Sequence, residues 1–152
     1  MTDGYEFTIA LRLRHPDIDP AEITRQLGLQ PQAAWRAGEV RRDTTGEELD
    51  GTYRETYWLG RLMPEPRLSG DGVTVESVIL QTLGQLRRAM DFLTALKLQG
   101  GMAELQISIY ARGTFQLDLL AESLALLGRL GLAIALDIHP GPKPIGLGVE
   151  VI

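Results

Sequence analysis

The residues of this 152-residue chain whose types could do chemistry are two histidines and the acids beside them. His15 and His139, with Asp17, Asp19 and Asp137, supply the donor types of a zinc, nickel or iron site. A small metal-dependent hydrolase built on them is the enzymatic alternative. No HExxH or comparable spacing gathers them, and both histidines precede proline, which points to turns at the ends of two different strands. No metal or cofactor is therefore assigned. Nucleophilic catalysis needs a nucleophile, a base and an orienting group held together. Ser69, Ser77, Ser108 and Ser123 lie outside any G-x-S-x-G elbow, and no catalytic residue is assigned. Ser69-Gly70-Asp71-Gly72 could turn amides toward an anion, but Asp71 would repel a phosphate and no Walker lysine follows, so it reads as a helix-entry loop. The absence of cysteine excludes disulfides, thiolate zinc sites and thiol nucleophiles.

Binding chemistry has better candidates. Arg12 and Arg14 share one face of a first strand, and Ser108 and Tyr110 share one face of a later strand. If those strands are neighbours, a patch of guanidinium, hydroxyl and phenol results, suited to a carboxylate or to a partner's acidic loop. A solvated face with cross-strand pairs is the plainer reading of the same residues. In Trp35-Arg36-Ala37-Gly38 the indole is either an exposed anchor or a lid over a sheet edge. Trp58, among Tyr53, Tyr57 and Leu59, reads as cross-strand packing. His15-Pro16-Asp17 spells the tripeptide by which J-domain co-chaperones engage their partner. There it lies between two helices; here it leaves a strand and precedes a helix cap, so it reads as a turn.

The elements that must position these residues follow from periodicity. Tyr5, Phe7, Ile9, Leu11 and Leu13 alternate with Glu6, Thr8, Ala10, Arg12 and Arg14, which predicts a half-buried strand. Asp19 can cap a helix over Pro20 to Leu27, with Pro20 at the first position, Glu22 at capping-box spacing, an Ile18–Ile23 staple and Gly28 as the left-handed stop. A hairpin is expected from Gly38–Arg42 and Thr52–Arg61, joined by an acidic connection over 43–51. Residues 63–72 are loop by composition. A long helix runs from a Thr74 cap to about Gln99, and Ala103–Ala111 alternates as a strand. A leucine-rich helix over about Gln116–Leu130 stops at Gly131, and Leu132–Ile138 is an apolar strand. The tail 140–152 is turn material followed by a possible edge strand over 145–152. On the last helix Leu117, Leu120, Leu124 and Leu127 form one stripe, which Leu119, Leu126 and Leu130 widen to half the circumference. A stripe that wide predicts cover by the following strand or by a second subunit.

The expected fold is α+β: a ferredoxin-like split βαβ core (β-α-β-β-α-β) with an appended α-β unit. Its helices cover one face of a mostly antiparallel sheet. Residues 1–152 are read as a single domain, since this length buries roughly 70% of its unfolded surface. Fifteen basic and twenty acidic residues give a formal charge of −5. That balance argues against nucleic acid or an anionic membrane as partner. No apolar run approaches the ~20 residues of a membrane span. Met1-Thr2-Asp3-Gly4 lacks a basic-then-apolar signal, so the expected location is cytoplasmic.

The stretch Asp17-Ile18-Asp19-Pro20, Ile23-Thr24, Leu27-Gly28-Leu29, Pro31, Trp35 and Gly38-Glu39, with the later Trp58 and Leu127-Gly128, resembles a bacterial family of uncharacterised proteins, domain of unknown function 4279. The likeness covers most of the chain and its specific part is residues 17–39. It implies one compact domain and brings no catalytic residues. The functional expectation is a non-catalytic ligand-binding or protein-interaction domain that self-associates as a homodimer. Its binding residues would be Arg12, Arg14, Trp35, Arg36, Ser108 and Tyr110, and its partner a protein or a small anion. A further alternative, an acidic immunity-type protein, would sequester a basic partner through Glu47, Glu48 and Asp50.

Overall fold

The computed structural model describes residues 5–63, 67–68 and 74–141. Strand β1 (Glu6–His15) is the spine of the molecule. Its alternation places Phe7, Ile9, Leu11 and Leu13 in the core and turns Glu6, Thr8, Ala10, Arg12 and Arg14 to the opposite face. Helix α1 (Pro20–Leu27) follows, with Asp19 accepting from the Ala21 amide at 3.0 Å and Gly28 at φ 66° ending it. The expected capping box at Glu22 does not form. That carboxylate is taken by Arg25 and Gln26, within reach on the helix surface. Strand β2 (Ala33–Trp35) comes next.

The expected hairpin is rearranged. Strands β3 (Val40–Arg42) and β4 (Glu48–Thr52) pair with each other as a separate two-stranded sheet, fully exposed. Strand β5 (Thr56–Arg61) leaves that hairpin and joins β2 and β1 in the main sheet. Burial explains the switch: Tyr57 and Leu59 are buried on one face of β5 and Trp58 on the other, and an exposed ribbon cannot satisfy both. Within the expected loop, β6 (Arg67–Leu68) makes a short pairing with Glu6 and Phe7.

The expected long helix is two. Helix α2 (Val75–Leu86) starts at a true capping box, Thr74 and Ser77 exchanging side-chain-to-amide bonds at 3.1 and 2.9 Å. A 3-10 turn at Arg87–Ala89 then leads into helix α3 (Met90–Leu98). Its tighter winding keeps Leu86, Ala89, Leu93 and Leu96 all buried.

Strand β7 (Met102–Ala111) runs antiparallel to β1, helix α4 (Ala121–Leu130) crosses over, and β8 (Leu132–Pro140) returns parallel to β7. The fold is α+β, with main-sheet order β2-β5-β1-β7-β8 and β1 paired directly with β7. The core lies between the helices and one sheet face, around Trp58, Ile79, Leu83, Leu93, Leu105 and Ile107. Helix α4 is shorter than expected, because Leu117 and Leu119 pack against the core from irregular backbone at alternating positions. The leucine stripe is correspondingly reduced: Leu127 and Leu130 are buried, Leu126 half-buried, Leu120 and Leu124 exposed. Among the described residues no helix is long and apolar enough to cross a membrane. The expected edge strand over 145–152 and the Ser69–Gly72 loop lie outside the described residues.

Candidate functional site

The face of the sheet that is helix-free among the described residues carries most of the expected binding residues, and strand register decides which of them meet. Arg12 is level with Glu104, Arg14 with Met102, Thr8 with Ser108 and Glu6 with Tyr110. Ser108 therefore lies four residues, roughly 13 Å, from the Arg12 row. The arginines and the hydroxyl–phenol pair occupy opposite ends of the face and form no single patch. Glu104 takes the Arg12 guanidinium in a nearly buried ion pair, which commits that charge to the fold. At the far end Tyr110 stacks on His139 with centroids 4.8 Å apart, and Gln106 donates to Asp137 at 2.8 Å. Ser108 is buried between these rows.

The arginine end is different in character. Arg14, Tyr57 and Trp35 form one row across β1, β5 and β2. Trp35 stacks on Tyr57 at 4.4 Å and on Tyr53 at 4.5 Å, nearly parallel to both, and the Arg14 guanidinium lies 6.0 Å from the Tyr57 centroid. Tyr53 reaches this ladder from the base of the β3–β4 hairpin, where its hydroxyl accepts from the Arg42 amide at 3.3 Å. Arg14 has a loose partner in Glu55 at 3.8 Å, and Arg36 in Asp19 at 3.8 Å. Arg36 also donates to the Asp17 carbonyl at 3.2 Å. Both guanidinium groups reach solvent. The sequence does not single out Tyr53, Tyr57, Glu55 and Glu104 as site residues, because pairing register is invisible in a single strand's pattern. The other tryptophan is core: Trp58 is fully buried and its indole donates to Thr24 Oγ1 at 3.0 Å.

The histidine metal set does not assemble. His15 is buried at the end of β1, while His139 is level with Tyr110 and hence with Glu6, nine residues or about 30 Å away along the sheet. His15 Nδ1 accepts from the amides of Asp17 and Ile18 at 3.1 and 2.9 Å, so Nε2–H is left to donate to Gln99 Oε1 at 2.7 Å. That histidine is a staple for the turn. His139 Nε2 is buried and has no hydrogen-bond partner among the described residues. Among the described residues, no three of His, Cys, Asp and Glu are grouped so as to hold a metal. The other polar groups have structural work: Ser77 caps α2, and Ser123 donates to Glu76, whose carboxylate also accepts the Leu120 amide at 3.3 Å.

Glu47, Glu48 and Asp50 share the exposed hairpin with arginines. Arg42 reaches Glu48 at 3.3 Å and the Gly46 carbonyl at 3.0 Å, so the arm is mixed in charge rather than purely acidic. Its turn is held by Asp43, whose carboxylate takes the Thr45 hydroxyl and the Thr45 and Glu47 amides. Those bonds, the Thr45 hydroxyl first, hold the Asp43 carboxyl below the usual carboxylate range.

The family model of a domain of unknown function, DUF4279, matches residues 5–141. The chain belongs to that family. No curated protein and no solved structure matches it. The span matched by DUF4279 starts at the residue before β1 and ends at the glycine after β8, so it takes in every described element. Within DUF4279, the 17–39 segment corresponds here to the His15 turn, α1, β2 and the Trp35 corner.

Proposed function

We propose that this DUF4279 domain is a non-catalytic interaction domain, bacterial and cytoplasmic, that binds an acidic segment of a partner and self-associates. The observation that carries the binding half is the Arg14–Tyr57–Trp35–Tyr53 row. It joins a rigid aromatic ladder to the Arg14 guanidinium, and Arg36, the next residue after Trp35, carries a second one beside the α1 cap; the ion pairs of both arginines are long and exposed. Such pairs are worth about 0–1 kcal/mol and exchange readily for a ligand's carboxylates. Aromatic rings held by stacking lose little entropy when a partner arrives. Arg12 supports the frame and is excluded from binding by Glu104.

Titration with an oligo-glutamate peptide, followed by tryptophan emission, tests this reading. Trp35 reports from the ladder and Trp58 is shielded in the core. The expected result is a saturable change that weakens with salt. It becomes roughly tenfold weaker in an Arg14→Ala/Arg36→Ala variant, as for the loss of about 1.4 kcal/mol. No change in emission, or an equal response from the double variant, overturns it.

A further inference from the structure

Strand β8 ends the main sheet among the described residues, and it lacks the usual protection of an edge. Natural edge strands carry lysines, bulges, prolines or inward charges that discourage pairing. The nine residues of β8 pair with β7 without a bulge, and proline stands only at the last position. Its one carboxylate, Asp137, is held by Gln106 on the helix-free face. On the helix side Leu132 is buried, Ile134 is half-buried, and Leu136 and Ile138 are 44% and 60% exposed. Helix α4 covers this side of the sheet, and Leu120 and Leu124 at its N-terminal turn are 55% and 49% exposed. A Cβ added at Gly128 on the same helix would meet nothing within 4 Å, so the exposed surface of α4 leaves room for close approach.

We infer that β8 and the leucine flank of α4 dock on the same elements of a second copy about a two-fold axis, the two β8 strands antiparallel. The inference rests on the self-association half of the proposed function and names its surface. An identical strand is self-complementary here in one register in particular. With Leu136 on the axis, Ile134 lies opposite Ile138 of the second copy, which joins the apolar side chains into one strip on the helix side. On the other face Ala135 lies opposite Asp137 and Ala133 opposite His139, so no like charges meet. Shifting the axis to Asp137 would set that carboxylate against its own copy, which cross-strand pairing disfavours. The contact is isologous and closes at two chains. An edge of nine residues is about 30 Å long. The ten-residue α4 beside it, about 15 Å long and 10 Å across, brings the strip to roughly 450 Å² in projection, a small interface that relies on the main-chain hydrogen bonds of the two paired edges.

The test uses the whole 152-residue chain, which has no native cysteine. Sedimentation equilibrium is expected to give a dimer, with β8 amides better protected from exchange as concentration rises. Leu136→Lys/Ile138→Lys should weaken dimerisation at least tenfold and leave the circular dichroism spectrum unchanged. Leu136→Cys should cross-link to itself under mild oxidation, and Leu49→Cys on the β3–β4 hairpin should not. A dimer that survives the double lysine, or that cross-links equally at position 49, overturns this surface and leaves self-association standing. A monomer at every concentration overturns both. Protection of β8 that is then independent of concentration would identify residues 142–152 of the same chain as the occupant of the edge.

Discussion

Arg12 and Arg14 stand two residues apart on the same face of β1, and the fold gives them opposite duties. Arg12 has 11% of its side chain exposed and is paired with Glu104; Arg14 has 40% exposed and a carboxylate at 3.8 Å. Removing one member of a nearly buried pair strands the other charge in a poor solvent, at a cost of about 3 kcal/mol. Breaking an exposed pair costs under about 1 kcal/mol. Urea unfolding should therefore show Arg12→Ala strongly destabilised and Arg14→Ala close to the parent, with Arg12→Met/Glu104→Leu recovering most of the loss. Equal midpoints for the two single variants would show that Arg12 is not committed to the fold. The alternation of Tyr5 to Arg14 made the shared face legible in the sequence. Which arginine was free depended on Glu104, ninety-two positions away in the chain.

At the scale of elements, local signals held for the Asp19 cap, the Thr74 cap and the stops at Gly28 and Gly131, while the Glu22 box gave way to Arg25 and Gln26 on the same helix. Such signals also failed where a distant residue decides. Helix α4 begins at Ala121 because Glu76 of α2 satisfies the Leu120 amide and the Ser123 hydroxyl, which no property of residues 116–120 announces. Strand β5 shows a second such dependence. Trp58 lies flat over Gly60, so a Cβ at position 60 would fall on the indole ring. Because that ring is fully buried beneath α1 and bonded to Thr24, it cannot yield cheaply. Gly60→Ala is expected to cost about 2 kcal/mol, within the range for overpacked cores, and to disturb the Thr24–Trp58 bond. Chemical denaturation and the indole N–H resonance measure the two effects; an unchanged midpoint would mean that the core repacks freely.

For the whole molecule, β8 is the strand that ends the main sheet among the described residues, and its pairing decides the assembly. Mass action gives a global reading independent of any cross-link. If the native state is a pair of chains, unfolding is coupled to dissociation and the melting temperature rises with concentration. A tenfold increase in concentration should raise Tm by about 2 °C for a chain of this size. The Leu136→Lys/Ile138→Lys variant should show no such rise. The arginine–aromatic corner lies at the opposite side of the sheet, on β1, β5 and β2, so partner binding and self-pairing need not compete for surface.

Periodicity and capping chemistry determined, from the sequence alone, the α+β class, the spine strand β1, helix α1 and the strands over β7 and β8. Each is specified by residues a few positions apart, through side-chain alternation or a single helical turn. The tertiary structure alone decided the rest. It moved β5 out of the expected hairpin, split the long helix, separated His15 from His139, and divided the polar face into a neutralised centre and an available corner. All of these depend on strand register and on burial against distant segments, where a shift of one residue exchanges the faces of a strand and no local pattern records the partner.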